Sequence, residues 1–171
     1  MRYLLDANIF IEPAKRWYHP DICPGFWDWL EDAFETGIVA SIEDIHDEVS
    51  RGNDQARDFV VDRLTQAKFL QFDAHDQLGN VIQAVQTATT TNGKQRYLQA
   101  AINDYAGKTD CKLVAMALAH KDAIITLEKS GSSNKNIKMA DACDLLGIKQ
   151  TLLFDLLRLQ NVRFSRQSNP S

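Results

Sequence analysis

The sequence predicts an α/β domain built on a mostly parallel sheet, and three observations carry that reading. Short apolar segments at residues 2–5, 38–40 and 123–126 alternate with longer segments whose apolar residues recur at helical spacing, the order that builds strand-helix-strand units. The apolar helical stretch 113–119 leads straight into Ala123-Ile124-Ile125-Thr126, the clearest strand of the second half. The chain has 171 residues, 44% apolar and 25% charged, which is the composition and size of one ordinary domain with a core of its own.

Taken in order, Arg2-Tyr3-Leu4-Leu5 reads as a buried strand ending at Asp6-Ala7-Asn8, residue types that favour turns. Residues 12–25 hold Pro13, Pro20 and Pro24 among Trp17, Tyr18 and His19 and read as an ordered loop, too irregular for a helix or strand. Phe26, Trp29, Leu30 and Phe34 fall near helical spacing, with Gly37 as the stop. Residues 38–40 form the second strand, and Ser41 is the expected N-cap of a helix carrying Ile42, Ile45 and Val49 as far as Gly52. Asn53 or Asp54 caps the next helix, in which Ala56, Phe59, Val60, Leu64 and Ala67 recur, and residues 69–72 make a weak third strand.

Val81, Ile82 and Val85 mark a helix that breaks at the Thr-rich segment 87–93, and Tyr97, Leu98, Ala101, Ile102 and Tyr105 resume the pattern up to Gly107. Thr109 is the expected cap of the helix through 119. A Gly/Ser/Asn/Lys-rich loop at 131–136 precedes a short helix at 141–146 and an amphipathic stretch at 152–159, and the tail from Ser165 is expected to fray. There is no internal repeat and no linker, so residues 1–171 read as a single domain.

Composition narrows the function. A net charge of −4 and a pI near 5.5 argue against a protein that coats nucleic acid through bulk positive charge, and leave room for a nuclease whose carboxylates hold a metal. Cys23, Cys111 and Cys143 are an odd set without CxxC spacing, which fits neither a disulfide framework nor a zinc finger and points to the cytoplasm. The longest uninterrupted apolar run, residues 113–119, is far shorter than the roughly 20 residues of a membrane span, and no signal peptide is visible.

Ligands of parallel α/β sheets gather outside the carboxyl ends of the strands. Four acids meet that condition: Asp6 after the first strand, Glu48 on the helix after the second, Asp110 in the first turn of the 113–119 helix and Glu128 just beyond Thr126. Hard oxygen ligands in this number suit Mg²⁺ or Mn²⁺.

At these residues the chain resembles PIN domains. Leu4-Leu5-Asp6-Ala7-Asn8-Ile9-Phe10-Ile11 is similar to their opening run, which holds the first metal-binding Asp. Asp110-Cys111-Lys112-Leu113-Val114-Ala115-Met116-Ala117-Leu118 is similar to their D-x-x-[LI]-[VI]-A-x-A-L helix, and Ile124-Ile125-Thr126-Leu127-Glu128 to the [LI]-V-T-x-[DEN] that follows. Ile45-His46-Asp47-Glu48-Val49 resembles the segment of the second acid. The aromatic stretch Cys23-Pro24-Gly25-Phe26-Trp27-Asp28-Trp29-Leu30 and the ending Ile137-Lys138-Met139-Ala140-Asp141-Ala142-Cys143-Asp144 more narrowly resemble the DUF4411 family, a PIN-like group.

The resemblance implies a PIN-like three-layer α/β/α sandwich and a Mg²⁺- or Mn²⁺-dependent endoribonuclease similar to the VapC-type toxins of type II toxin–antitoxin pairs. It also implies RNA as substrate and a small antitoxin protein as partner, and it admits a homodimer. On it, Asp6 and Asp110 are the direct metal ligands, while Glu48 and Glu128 bind through oxygen or water or orient the nucleophile, with Asn8 or Thr126 in support. The chain departs from the pattern at Glu128, where Asp or Asn is commoner, and in the longer 12–25 loop. The rival reading is a catalytically silent module that binds RNA or a protein.

Each candidate competes with a plainer reading. Asp6 and Asp110 stand where Asp is favoured as a turn or helix-start residue. Glu48 competes with Glu43, Asp44 and Asp47, Glu128 with a surface acid paired to Lys129, and Asp141 reads as a helix-start residue. Gly107-Lys108-Thr109 imitates the end of a P-loop, but Ile102 occupies the position that requires Gly. His19 with Cys23, Cys111, and the three tryptophans Trp17, Trp27 and Trp29 are read as packing or surface residues. Lys15, Arg16, Arg51, Arg57, Arg63, Lys94 and Arg96 flank the acidic regions without forming a defined patch.

Overall fold

A computed structural model describes residues 1–164. The expected tail from Ser165 lies outside the described residues. Among those residues, nine α-helices surround a four-stranded, wholly parallel sheet. The strands are β1 (Tyr3–Leu5), β2 (Val39–Ala40), β3 (Ala123–Ile125) and β4 (Gln150–Thr151), in the spatial order β2-β1-β3-β4. The two interior strands are apolar at every position and fully buried, as a parallel strand covered on both faces must be. Tyr3, Leu4 and Leu5 register against Ala123, Ile124 and Ile125, which sets Asp6 beside Thr126 at the carboxyl end.

The helices are α1 (Asn8–Glu12), α2 (Pro24–Glu35), α3 (Glu43–Ser50), α4 (Gln55–Asp62), α5 (His75–Thr87), α6 (Gln99–Ala106), α7 (Thr109–His120), α8 (Met139–Leu146) and α9 (Leu153–Leu159). The step from β1 to β2 runs toward one edge of the sheet, and the steps to β3 and β4 run toward the other. Right-handed crossovers then put α1 and α2 on one face and the mutually packed α5, α6, α7 and α8 on the opposite one. The outcome agrees with the three-layer sandwich the sequence leads one to expect. No helix among the described residues is long and apolar enough to cross a membrane.

Several local expectations are corrected. Residues 13–17 are not loop: Pro13–Trp17 is a π-helical turn that continues α1. It widens where Pro13 contributes no N–H to the helical ladder. The stretch beyond it is held by Trp27, whose Nε1 donates to the Tyr18 carbonyl at 2.6 Å, and by a Tyr18–Phe26 stack at 4.5 Å. Ser41 does not cap α3. It is fully buried and donates its hydroxyl to the Leu5 carbonyl at 2.7 Å, so it ties the β2 end to β1. Thr109 is the first residue of α7 rather than its cap, whereas Asp54 does cap α4 by accepting from the Arg57 N–H.

Residues 69–72 supply only a single bridge, Leu70 against Ile42. The Thr-rich break is a hairpin closed by Thr89 and Gln95, with Gly93 at φ +71°, a conformation that costs a residue with a Cβ. β4 has no counterpart among the strands expected from sequence, because two half-buried polar residues on a sheet edge leave no apolar pattern.

Candidate functional site

The pairing of β1 with β3 delivers the first acid. Asp6 follows β1, its backbone N–H donates to the Ile125 carbonyl at 3.3 Å, and its side chain is only 5% exposed. Its partners are neutral and distant: Asn8 Nδ2 donates at 3.3 Å and Thr126 Oγ1 at 3.4 Å. Burial, then the charge of Asp110, and to a smaller degree that of Glu128, push the carboxyl up to about 7 against the opposing Asn8 hydrogen bond.

Asp110 comes from the first turn of α7. Burial, followed by the charges of Glu128 and Glu48, pushes it up to about 6. Glu128 leaves β3 two residues beyond Thr126, and its backbone N–H donates to Thr126 Oγ1 at 3.0 Å. That hydroxyl therefore orients both Asp6 and the Glu128 backbone. Glu128 Oε2 is buried without a hydrogen-bond partner. Glu48 is exposed on α3, with its charge felt at Asp110. Its rivals are otherwise engaged or absent from that coupling: Asp44 pairs with Lys112, Asp47 with His46, and Glu43 does not figure among the charges acting on Asp110.

The structure thus draws Asp6, Asp110, Glu128 and Glu48 into one electrostatically coupled group. Among the described residues, no three Asp, Glu, His or Cys side chains are close enough to form a ready cage for an ion. The donor chemistry nevertheless suits a hard divalent cation, since all four are carboxylates, two have their charged forms destabilised by burial and then by neighbouring acids, and one buries an unpartnered oxygen.

Asp141, the fifth acid considered in the sequence, is a different object. It is 1% exposed, and its Oδ1 accepts from Arg96 Nη2 at 3.0 Å and from the Gly131 N–H at 2.9 Å, while Oδ2 accepts from the Lys138 N–H at 3.1 Å. Arg96 also donates to the Gly131 carbonyl at 2.9 Å. This buried clamp pins the loop that carries Glu128. Nothing in the sequence spacing joins residues 96, 131 and 141, so the partnership was not legible there.

The family model described as "Domain of unknown function (DUF4411)" matches residues 3–164. The chain belongs to this family. Its narrower resemblance at residues 23–30 and 137–144 lies within the matched span. Neither the curated proteins nor the solved structures yield a match.

The remaining sequence candidates fall into plainer roles. Cys111 and Cys143 are buried free thiols, pushed by burial up to about 11 and about 12, the wrong direction for a nucleophile. His19 pairs with Asp21. Trp27 is core, and Trp17 rests on Phe154 at 5.7 Å. Lys15, Arg16, Arg57, Arg63 and Arg96 are each engaged by a carboxylate, so they do not form a free basic track.

Proposed function

We infer that this DUF4411 protein is a metal-dependent endoribonuclease, with Asp6, Asp110, Glu128 and Glu48 as the residues that hold Mg²⁺ or Mn²⁺. The observation that carries the reading is the gathering of buried acids at the carboxyl ends of β1 and β3, where burial and then the charges of neighbouring acids raise Asp6 and Asp110 to about 7 and about 6, opposed among the chain's cations only by Lys108 acting on Asp110. A fold keeps such a cost where a ligand removes it. When bound, the divalent ion would supply Lewis-acid polarisation of a phosphodiester and an activated water.

The chain's own residues do the positioning. Asn8 and Thr126 both donate to Oδ2 of Asp6, Ser41 ties the end of β2 to the β1 backbone, and Thr126 sets the direction in which Glu128 leaves the sheet. The test is cleavage of single-stranded RNA with Mg²⁺ or Mn²⁺ by the purified protein, expected for the wild type and lost in a folded Asp6→Asn protein. Full cleavage by that variant, with contaminating nuclease excluded, would sink the proposal.

The resemblance to toxin nucleases extends the reading to a small protein partner. A guanidinium placed among the acids would relieve the same repulsion as the cation and compete with it. A short protein from the neighbouring gene should co-purify, and excess Mg²⁺ should weaken its inhibition. If a pull-down from the native host recovers no such partner and expression alone leaves growth unchanged, the toxin role falls and the nuclease role stands.

A further inference from the structure

A cavity of about 260 Å³ adjoins the acids, lined by Thr126, Glu128, Lys129 and Ser130 on one wall and by Thr151 and Leu152 on the other. Its shape is held by bonds already made. Asp144 of α8 joins the walls, because its carboxylate accepts from Ser130 Oγ on one side and from Gln150 Nε2 at 2.8 Å on the other. The first wall is tied down further at the Glu128 N–H by Thr126, at the Lys129 carbonyl by Lys138 Nζ at 3.2 Å, and at Gly131 by the Asp141 clamp.

Three groups on this cavity remain uncommitted. Lys129 is exposed and has no ion-pair partner among the described residues, so it does not pair with Glu128. Leu152 is 44% exposed, and Glu128 Oε2 is buried without a partner. An uncommitted ammonium beside an exposed apolar side chain suits a phosphorylated sugar with its base. The volume falls just below the roughly 300 Å³ at which ligand pockets usually begin, and so admits part or all of one nucleotide unit rather than a folded RNA. The acids next door repel a phosphate chain, and a fixed local cation is what draws that chain across them.

We propose that this cavity seats the nucleotide adjoining the cleaved bond of a single-stranded RNA, with Lys129 meeting its phosphate and Leu152 lying against its sugar and base. The proposal rests on the nuclease reading above. A duplex does not release single nucleotides into a side cavity, so an unpaired strand is the substrate form that fits.

Binding of a fluorescent RNA decanucleotide, followed by anisotropy in the non-cleaving Asp6→Asn background with Mg²⁺ present, tests it. Lys129→Ala should weaken binding roughly five- to tenfold at low salt and make the salt dependence shallower by about 0.7, the loss of one phosphate contact on a single strand. Lys129→Arg should restore both. Lys121→Ala, at the amino end of the sheet, serves as the control and should bind as the parent does. Equal affinities for the Lys129→Ala and Lys121→Ala proteins would overturn the subsite while leaving the nuclease intact. A wild-type protein that neither binds nor cleaves RNA would overturn both.

Discussion

Asp6 and Asp141 are two buried aspartates in opposite circumstances. Asp141, at the start of α8, has each oxygen engaged and a guanidinium beside it. Asp6, at the end of β1, is buried almost as deeply, with two long hydrogen bonds from neutral groups and two acids as its charged neighbours. Burying a carboxylate is costly in either place. The first site offsets that cost from within the chain with a cation and the second only with hydrogen bonds from neutral groups, and on the proposed function a bound divalent ion would supply the rest.

The largest expected effect sharpens this contrast directly. Asp6→Asn should lower RNA cleavage at least a thousandfold, on the order of 4 kcal/mol of barrier, while circular dichroism and elution volume stay those of the wild type. Asp141→Ala should do the reverse in kind. It strips a guanidinium and two backbone N–H groups of their partner and should cost about 3 kcal/mol of folding stability, read as a lower urea midpoint. If Asp141→Ala leaves the midpoint unchanged, the clamp is ornamental and the comparison collapses.

The third prediction uses the sign of the Asp6 shift. Its folded-state value of about 7 lies above the ordinary 3.8, so between those values the folded chain binds more protons than the unfolded one. Stability of the metal-free protein therefore falls as pH rises from about 4 to 7, at up to 1.4 kcal/mol per pH unit for a single group. Asp6→Asn lacks the titration. With a chelator present it should melt above the wild type at pH 8 and level with it at pH 4, each kcal/mol being worth about 2–4 °C in a chain of this size. Saturating Mn²⁺ should remove or invert the gap at pH 8, and a gap equally wide at both pH values would assign the effect to packing instead.

The smallest effect separates ligand from bystander. Asp110→Asn should weaken Mn²⁺ binding about tenfold in calorimetric titration, whereas Glu43→Gln should change it less than about twofold, since Asp110 is coupled to Glu128 and Glu48 and Glu43 is not among those charges. Equal losses from the two would reduce the site to a diffuse acidic patch.

Much of the fold was legible because its signals are local. The buried runs at Tyr3–Leu5 and Ala123–Ile125 and the helical spacing of 113–119 depend on chemistry visible within a few residues. The same holds for Asp54, whose capping bond reaches only to residue 57. Ser41 misled for the complementary reason: a Ser before a helix is an ordinary cap by sequence, and only the proximity of β1 diverts its hydroxyl to the Leu5 carbonyl.

The sequence by itself determined the alternation of strands and helices, the placement of acids just after strands and at a helix start, and membership of the family. Tertiary structure decided which acids meet. Parallel pairing of β1 with β3 aligned two strand ends from opposite halves of the chain and so brought Thr126 to Asp6. It also decided which charges are spent, giving Arg96 to Asp141 and leaving Lys129 uncommitted at the cavity beside Glu128. Periodicity is a property of neighbours along the chain, whereas a carboxylate's fate depends on desolvation and on charges that only folding brings near.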